Sequence, residues 1–384
     1  MSTRPVIETI VIQPTPFCNI DCTYCYLPNR RDRSMMSRDT LRALFERVFE
    51  SGWSAPAMTV IWHAGEPLIL PVSFYRDAFA LIESMRPNDI TLRHAFQTNG
   101  MLITDDWCEL FRDHDVGVGV SLDGPRHLHD AHRITRGGRG TFERTMAGIR
   151  KLRRHSIEFH VITVLSSNSL DDPDSLVNFY LHEGIDQVCF NVEESEGEHR
   201  SELFDMADLR ARFSGFLDRF WRLARQSGRF SYIREIDGML PRILRPQEAA
   251  MGNEQVAGFG MLNVACNGDV ASFSPELLGL KNELYRDFII GNVHQQSLED
   301  MRASAVMQHM TQDIALGVAA CRNSCDYFSV CGGGAPINKL TENGSFTSDR
   351  TRFCELTQMV PTDLILDALD RMELEGAPTP SAAG

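Results

Sequence analysis

Six short runs of β-branched and apolar residues alternate with amphipathic stretches over the first two thirds of the chain. In segment 41–52, apolar side chains recur at helical spacing, with Ser37 as the predicted N-cap and Gly52 as the predicted stop. Segments 72–86, 141–155 and 208–225 repeat this helical pattern. The predicted strands are 8–13, 58–63, 92–99, 117–123, 159–165 and 187–193. This alternation predicts an α/β fold built of βα units around a parallel sheet. A complete eight-unit barrel takes about 250 residues, so six units predict a partial (β/α)6 barrel.

Polar segments, three of them with glycine, follow most of these strands. They are a cysteine-rich segment after the first strand, then "HAGEP" (63–67), "QTNG" (97–100), "SLDGP" (121–125) and "NVEE" (191–194). Each could be a turn, because Gly, Asn, Asp and Pro are common turn residues. Ligands of parallel sheets bind at the carboxyl ends of the strands, so five such segments at one rim predict a site there.

The alternation ends near residue 235. Residues 255–360 are rich in Gly, Asn and Cys and have few periodic stretches of helix length. We therefore expect a barrel over 1–235 and a second, cysteine-bearing domain over 236–360. For 361–384 we expect a helix end followed by a disordered tail, since "EGAPTPSAAG" is rich in Pro and Ala.

Charge and hydropathy exclude several classes of protein. The 384 residues carry a formal net charge of −14, which argues against nucleic-acid or anionic-membrane partners because those need a basic surface. The N-terminus lacks a signal-peptide pattern, and no apolar run reaches the length of a transmembrane helix. We expect a soluble, cytoplasmic protein.

Seven of the ten cysteines form two clusters, which are Cys18, Cys22 and Cys25, then Cys321, Cys325, Cys331 and Cys354. In a reducing compartment, clustered thiols indicate metal ligands or catalytic groups. Structural zinc requires four ligands, and the first cluster offers three thiolates with His63 as one conceivable fourth. A [4Fe–4S] cluster normally takes four thiolates, so three would leave one iron open for a ligand.

The spacing CxxxCxxC in "CNIDCTYC" resembles that of the radical S-adenosylmethionine (SAM) enzymes. This resemblance implies a [4Fe–4S] cluster on Cys18, Cys22 and Cys25, with SAM on the fourth iron. Tyr24 stands at the family's aromatic position before the last cysteine. "AGEP" is similar to the GGEP motif, so Gly65 and Glu66 are expected to hold the amino group of SAM, although Ala64 replaces the first glycine. Ser121 and Arg133 resemble the pair that binds the SAM carboxylate, to which an arginine fork is well suited.

The second cysteine cluster resembles the SPASM domain, which carries auxiliary clusters in peptide-modifying members of the superfamily. Cys321, Cys325, Cys331 and Cys354 are then expected to ligate one auxiliary [4Fe–4S] cluster, with a zinc site as the alternative. Ala335 stands where the pattern has a cysteine for a further cluster, and Cys266 is expected to be a bystander.

Several motifs together resemble the cyclophane-forming maturases of glycine-rich-repeat precursor peptides. That likeness implies a precursor peptide as substrate, an external donor of the flavodoxin or ferredoxin type, and a crosslink from an aromatic side chain to the Cβ two residues later. Candidate bases for the proton released are Glu193, Glu194, Asp123 and Glu276. The alternatives are thioether formation, epimerisation, sulfatase-type oxidation of Ser or Cys, nucleic-acid modification by the same superfamily, or a zinc-stabilised scaffold without catalysis.

Overall fold

A computed structural model of the chain describes residues 4–195, 199–245 and 252–374. The strands are β1 Ile7–Ile12, β2 Ser54–Trp62, β3 Thr91–Thr98, β4 Gly117–Ser121, β5 His160–Leu165, β6 Gln187–Val192, β7 Tyr232–Ile233, β8 Met261–Val264, β9 Asp269–Ser272 and β10 Gly291–Asn292. They form one sheet in the order β10-β9-β8-β1-β2-β3-β4-β5-β6-β7. The six predicted strands correspond to β1–β6 and pair in parallel, which confirms the α/β prediction.

The helices that follow β1–β6 along the chain pack against the sheet. They are α1 Arg38–Ser51, α2 Val72–Met85, α3 Asp105–Asp113, α4 Arg126–His132, α5 Phe142–Arg154, α6 Ser167–Leu170, α7 Pro173–Glu183 and α8 Leu209–Ser227. Ser37 caps α1 by accepting from Thr40 N, and Gly52 ends it in the left-handed conformation at φ 61°, as predicted. The core between helices and sheet contains Trp62 and Phe96 packed against Tyr75 of α2.

The sheet continues into the region beyond residue 235. Strand β8 pairs in parallel with β1, where Leu262 lies opposite Ile10, and β9 and β10 then add antiparallel. This region therefore extends the edge of the barrel sheet, while the boundary at 235 stays a prediction. In the linear order of the described strands β10 and β7 are the two edges, so the sheet is open, as expected for a partial barrel.

Residues 255–360 contain more helix than their few periodic stretches indicate. The helices after β7 are α9 Arg234–Asp237, α10 Leu240–Leu244, α11 Leu298–Ala303, α12 Ala305–Ser324, α13 Phe328–Cys331, α14 Pro336–Asn343, α15 Arg352–Cys354 and α16 Val360–Leu374, with the π-helical turn Glu355–Met359 joining the last two. The 20-residue helix α12 buries Met310, Ile314, Gly317 and Cys321 on one side. Glycine and cysteine give a weak apolar signal in sequence, which hid this stripe.

Residues 375–384, where the tail was predicted, lie outside the described residues, as do 196 and 197 of "FNVEESEG". In the part of the chain that is described, no helix combines the length and the apolar character needed to cross a bilayer.

Candidate active site

The first cysteine cluster lies on the loop that leaves the carboxyl end of β1. Cys18 N donates to Arg30 O (3.2 Å), and Cys25 N donates to Cys22 O (3.3 Å). From the other side, Arg136 Nη2 donates to the carbonyl oxygen of Cys18 at 2.9 Å. These bonds fold the loop back on itself, so the three thiols share one short segment.

Burial disfavours the thiolate form of two of these cysteines. It raises the pKa of Cys18 to about 12, with a further contribution from Glu66, and that of Cys22 to about 11, against the opposing charge of Arg133. Such half-buried thiols ionise when a metal binds them. The donor set therefore fits an iron–sulfur cluster.

The "AGEP" segment is fixed by contacts that only glycine permits. Gly65 has φ +144°, and a Cβ there would lie 2.1 Å from Thr15 O. Glu66 N donates to Phe17 O at 2.9 Å, which ties this segment to the loop just before Cys18. Ala64, which replaces the family's glycine, adopts the left-handed conformation at φ 64°.

The carboxylate of Glu66 is buried and already accepts three hydrogen bonds. The donors are Leu68 N (3.0 Å), Thr98 Oγ1 (2.7 Å) and Asn99 N (2.8 Å). Burial raises the pKa of Glu66 to about 7, although these bonds oppose the shift. Glu66 thus organises the end of β3 around the cysteine loop. Its predicted contact with the amino group of SAM stays a prediction.

Ser121 and Arg133 lie near each other, at the end of β4 and just after α4. Ser121 Oγ accepts from Gln97 Nε2 at 3.0 Å. Arg133 is buried and lies 4.0 Å from Cys22 Sγ through Nη1. Its Nε and Nη2 donate to the two carboxylate oxygens of Asp123, each at 3.0 Å.

The carboxylate of Asp123 accepts hydrogen bonds from three residues. Besides Arg133, Tyr24 donates its hydroxyl to Oδ2 at 2.5 Å, and Val164 N donates to Oδ1 at 3.0 Å. A proton transfer to Asp123 would disturb this network. That Asp123 acts as a base stays a prediction, and its ion pair with Arg133 argues against it. Tyr24 belongs to this network and lies beside Cys22.

A cavity of about 240 Å³ joins eight of the residues predicted for the SAM site or as bases, whereas Cys18, Gly65, Glu66 and Asp123 do not line it. Cys22 and Cys25 line it together with Ser121, Arg133 and the acidic side chains Glu193, Glu194 and Glu276. Glu276, from the loop after β9, is half-buried, and its carboxylate accepts from Ser274 Oγ and from the Tyr26 hydroxyl; desolvation at the cavity raises its pKa. The cavity therefore brings the cysteine loop of the barrel within reach of an acid from the region beyond residue 235.

The other two acids of the cavity have partners of their own. Glu193 is 2.9 Å from His199 Nε2, and Glu194 accepts from Asn338 Nδ2. Asn338 belongs to α14, so this second contact links the end of β6 to the cysteine-bearing region.

Three further residues that line this cavity are Tyr26, His63 and Gln97. Sequence reasoning assigned no role to Tyr26 or Gln97, and it named His63 only as a conceivable fourth zinc ligand. His63 Nδ1 is buried without a hydrogen-bond partner among the described residues, and burial lowers the pKa of His63 to about 4. The sequence signal for His63 at this site was its position at the end of β2, because the ends of the parallel strands were predicted to form the site.

The four cysteines of the second cluster line a separate cavity of about 440 Å³. Thr351 N donates to Cys354 Sγ at 3.3 Å, and backbone hydrogen bonds from Gly333 and Gly334 act on Cys331. Such N–H···S bonds are among the contacts that tune iron–sulfur clusters. All four thiols therefore line one cavity, whereas Cys266 does not line it.

No three His, Cys, Asp or Glu side chains within 4–195, 199–245 and 252–374 gather closely enough to hold a single metal ion. A [4Fe–4S] cluster has several irons, and its thiolate ligands bind separate ones.

Comparison with known proteins identifies the class of this fold and site. The radical SAM superfamily matches residues 12–180. An uncharacterised protein, sll1766 of Synechocystis, is 38% identical over 94% of this chain and 92% of its own length. The serine-type anaerobic sulfatase-maturating enzyme of Bacteroides thetaiotaomicron is 26% identical over 86% of this chain and 83% of its own.

Two solved structures share the fold. One is anSMEcpe with bound AdoMet and the Cp18Cys peptide, with a TM-score of 0.78, 18% identity, and coverage of 96% of this chain and 99% of that one. The other is SuiB of Streptococcus suis bound to precursor peptide SuiA, with a TM-score of 0.60, 15% identity, and coverage of 91% and 76%.

The chain belongs to the radical SAM superfamily and is a radical SAM enzyme. As such it works with a [4Fe–4S] cluster and S-adenosylmethionine.

Proposed function

We propose that this enzyme modifies a ribosomally made precursor peptide by joining an aromatic side chain to the Cβ of a residue two positions later. The main support for an oxidative modification of a peptide is one cavity. Cys22 and Cys25 line it together with Glu276, Glu193 and Glu194. Two structures of the same fold hold peptides. The cyclophane outcome rests on the sequence motifs.

Cys18, Cys22 and Cys25 would hold the first cluster, and the remaining iron would take SAM. Ser121 and the guanidinium of Arg133 would hold its carboxylate, while the backbone of Gly65 and the neighbouring Glu66 would hold its amino group. With SAM bound and the cluster reduced, the cluster and SAM would supply a 5′-deoxyadenosyl radical. This radical would take one hydrogen atom from a peptide Cβ–H. The chain's own task is to keep the two peptide side chains in reacting distance and to exclude water.

Closing the ring requires the loss of one further electron and one proton. The substrate carbon radical adds to the aromatic ring, and the ring regains aromaticity when both have left, so the peptide loses two hydrogen atoms in total. Glu276 is our candidate acceptor for the proton, because it lines the cavity and desolvation raises its pKa.

The electron would go to an auxiliary [4Fe–4S] cluster in a SPASM-like domain. Cys321, Cys325, Cys331 and Cys354 would ligate this cluster, since they line one cavity. A flavodoxin- or ferredoxin-type protein would reduce the first cluster. All ten cysteines are free thiols, which suits the reducing cytoplasm.

Sulfatase-type oxidation of a Ser or Cys side chain is the second candidate. The similarity to anaerobic sulfatase-maturating enzymes favours it. Ala335 argues against it, because it removes the cysteine expected for a further auxiliary cluster.

The test is an anaerobic assay with SAM, dithionite and two synthetic peptides. One is a glycine-rich repeat with an aromatic residue two positions before a Cβ–H-bearing residue, and the other offers Ser or Cys in place of the aromatic residue. We expect the first peptide to lose the mass of two hydrogen atoms and to gain no carbonyl group. In a mass spectrometer it should not fragment between the two joined residues. A hydrazide-reactive carbonyl in the second peptide alone would replace the cyclophane proposal by sulfatase-type oxidation. Colourless protein containing zinc, with no 5′-deoxyadenosine, would overturn both.

A further inference from the structure

A buried lysine lies against one thiol of the second cysteine cluster. Lys339, on α14, is 3% exposed. Its Nζ donates to Cys321 Sγ at 3.1 Å and to Gly317 O at 3.0 Å. Both acceptors belong to α12, so in the described residues this ammonium faces a sulfur and a carbonyl group instead of a carboxylate.

Among the described residues, the neighbouring acid Asp349 forms no direct ion pair with Lys339. Asp349 feels the ammonium electrostatically, but its carboxylate accepts from Ser324 Oγ at 2.7 Å. Burying an ammonium costs several kcal/mol unless an anion and good hydrogen bonds offset the lost hydration. A thiolate at Cys321 would be that anion.

The surrounding backbone is shaped to admit this lysine. At Gly317 a Cβ would lie 2.1 Å from Phe346 O and 3.2 Å from Lys339 Nζ. Glycine therefore lets α12 approach the 346–348 segment closely while Lys339 reaches between them. Cys321 follows Gly317 by one helical turn, so the ammonium bridges two successive turns of the same helix.

Lysine is uncommon in this chain. Of 38 basic side chains, all are arginine except Lys151, Lys281 and Lys339. An ammonium is a compact point charge, whereas a guanidinium is a planar fork that fits carboxylates. A point charge is the suitable donor for a single sulfur atom.

Lys339 also differs from the donors at the other thiols. Cys354 receives a hydrogen bond from Thr351 N, and backbone groups of Gly333 and Gly334 act on Cys331. These donors are neutral amides. Lys339 thus adds a full positive charge to one corner of the site.

We propose that Lys339 is a positioning residue whose ammonium raises the reduction potential of the auxiliary cluster through Cys321. Cluster potentials depend on net charge and on hydrogen bonds to the sulfurs, and a nearby cation stabilises the more negative, reduced form. The cluster then accepts the electron of the substrate radical more readily. This inference rests on the auxiliary cluster of the proposed function.

The experiment measures the potential of that cluster alone. The full-length chain carries Cys18→Ala, Cys22→Ala and Cys25→Ala, is reconstituted anaerobically, and is titrated while its EPR signal is followed. We expect Lys339→Met to lower the equilibrium constant for reduction at least tenfold, which is about 59 mV for a one-electron couple. Lys339→Arg should keep most of the potential, and Lys339→Gln should fall between them. Lys281→Met, which removes an exposed lysine paired with Asp287, should change nothing.

The outcomes separate this inference from the proposed function. A cluster present in all variants with an unchanged potential would overturn the role of Lys339 and leave the auxiliary cluster standing. Absence of any cluster from the triple-alanine chain that keeps Lys339 would remove the auxiliary cluster itself. If Lys339→Met does not bind iron, the reduction potentials of Lys339→Arg and Lys339→Gln are compared instead. A lower potential in Lys339→Gln supports the inference, and equal potentials in the two variants overturn it.

Discussion

Arg133 and Asp123 form a buried, two-bonded ion pair beneath the cysteine loop. Nε and Nη2 of Arg133 each lie 3.0 Å from a different oxygen of Asp123. Tyr24 joins the same carboxylate, and Arg133 reaches to 4.0 Å from Cys22 Sγ. The pair therefore connects the end of β4 to the loop that carries the three thiols.

Asp123→Asn should destabilise the protein strongly. The change keeps the side-chain size but leaves the buried guanidinium of Arg133 without its counter-ion, and breaking a buried pair in this way costs about 3–5 kcal/mol. The free energy of unfolding in urea, measured anaerobically, checks this. Asp171→Asn is the matched control, because its ion pair with Arg212 is largely exposed on the aspartate side and should be worth at most about 1 kcal/mol. Equal losses in the two variants would contradict the structural importance of the buried pair.

Gly65→Ala should prevent the first cluster from assembling. The new Cβ would lie 2.1 Å from Thr15 O at a φ of +144°, so the "AGEP" segment must move away from the cysteine loop. We expect loss of 5′-deoxyadenosine formation and of the iron bound by the triplet. Gly138→Ala is the control, since Gly138 also has a positive φ of 72° but a Cβ at that position would meet nothing within 4 Å; its cost should stay near 1–2 kcal/mol. Normal iron content in Gly65→Ala would refute the steric argument.

Sequence patterns predicted the parts of this molecule that depend on local chemistry. The periodicity of α1, its cap at Ser37 and the order of β1–β6 follow from neighbouring residues along the chain. The contacts that sequence could not show join distant segments. Asp123 was expected to be a candidate base, yet its ion pair depends on how α4 returns Arg133 to the end of β4. Lys339 looks like an ordinary polar position of α14 until the helix packs it against Cys321.

The stability of the site should depend on pH through Glu66. Burial raises its folded-state pKa from 4.5 to about 7, so the folded protein holds a proton that the unfolded chain has lost. The contribution of Glu66 to the free energy of unfolding is therefore full below about pH 4.5. It falls by roughly 3 kcal/mol as the pH rises to about 7. Glu66→Gln cannot ionise, so its deficit relative to the parent chain should shrink over this range. Urea unfolding of both proteins between these pH values measures it, and a constant difference would contradict the raised pKa.

The two cysteine clusters should be separable by substitution. We expect about eight irons per chain from two cubanes, with about four remaining when either cluster loses its cysteines. Serine at Cys18, Cys22 and Cys25 should abolish 5′-deoxyadenosine formation. Serine at Cys325 and Cys331 should leave the cleavage of SAM but stop completion of the crosslink, because the electron has no acceptor. Cys266→Ser serves as the control and should keep all the iron, since Cys266 does not line the auxiliary cavity. About four irons in the unaltered chain would remove the auxiliary cluster from the reaction.

Glu276→Gln should uncouple radical formation from product formation. Glu276 lies at the cavity with Cys22 and Cys25, and its carboxylate accepts from Ser274 and Tyr26 while burial raises its pKa. A positioned base typically contributes a factor of about 10²–10⁴. We therefore expect a drop of that size in crosslinked peptide while 5′-deoxyadenosine still forms.

The pH profile distinguishes a base from a structural role at this position. A base must be ionised to accept the proton, so the rate of the parent enzyme should rise with pH through the raised pKa of Glu276, and this rise should be absent in Glu276→Gln. Glu193→Gln is the matched control, because Glu193 lies at the same cavity but is paired with His199 at 2.9 Å. Loss of product in Glu193→Gln with full activity in Glu276→Gln would transfer the role to Glu193.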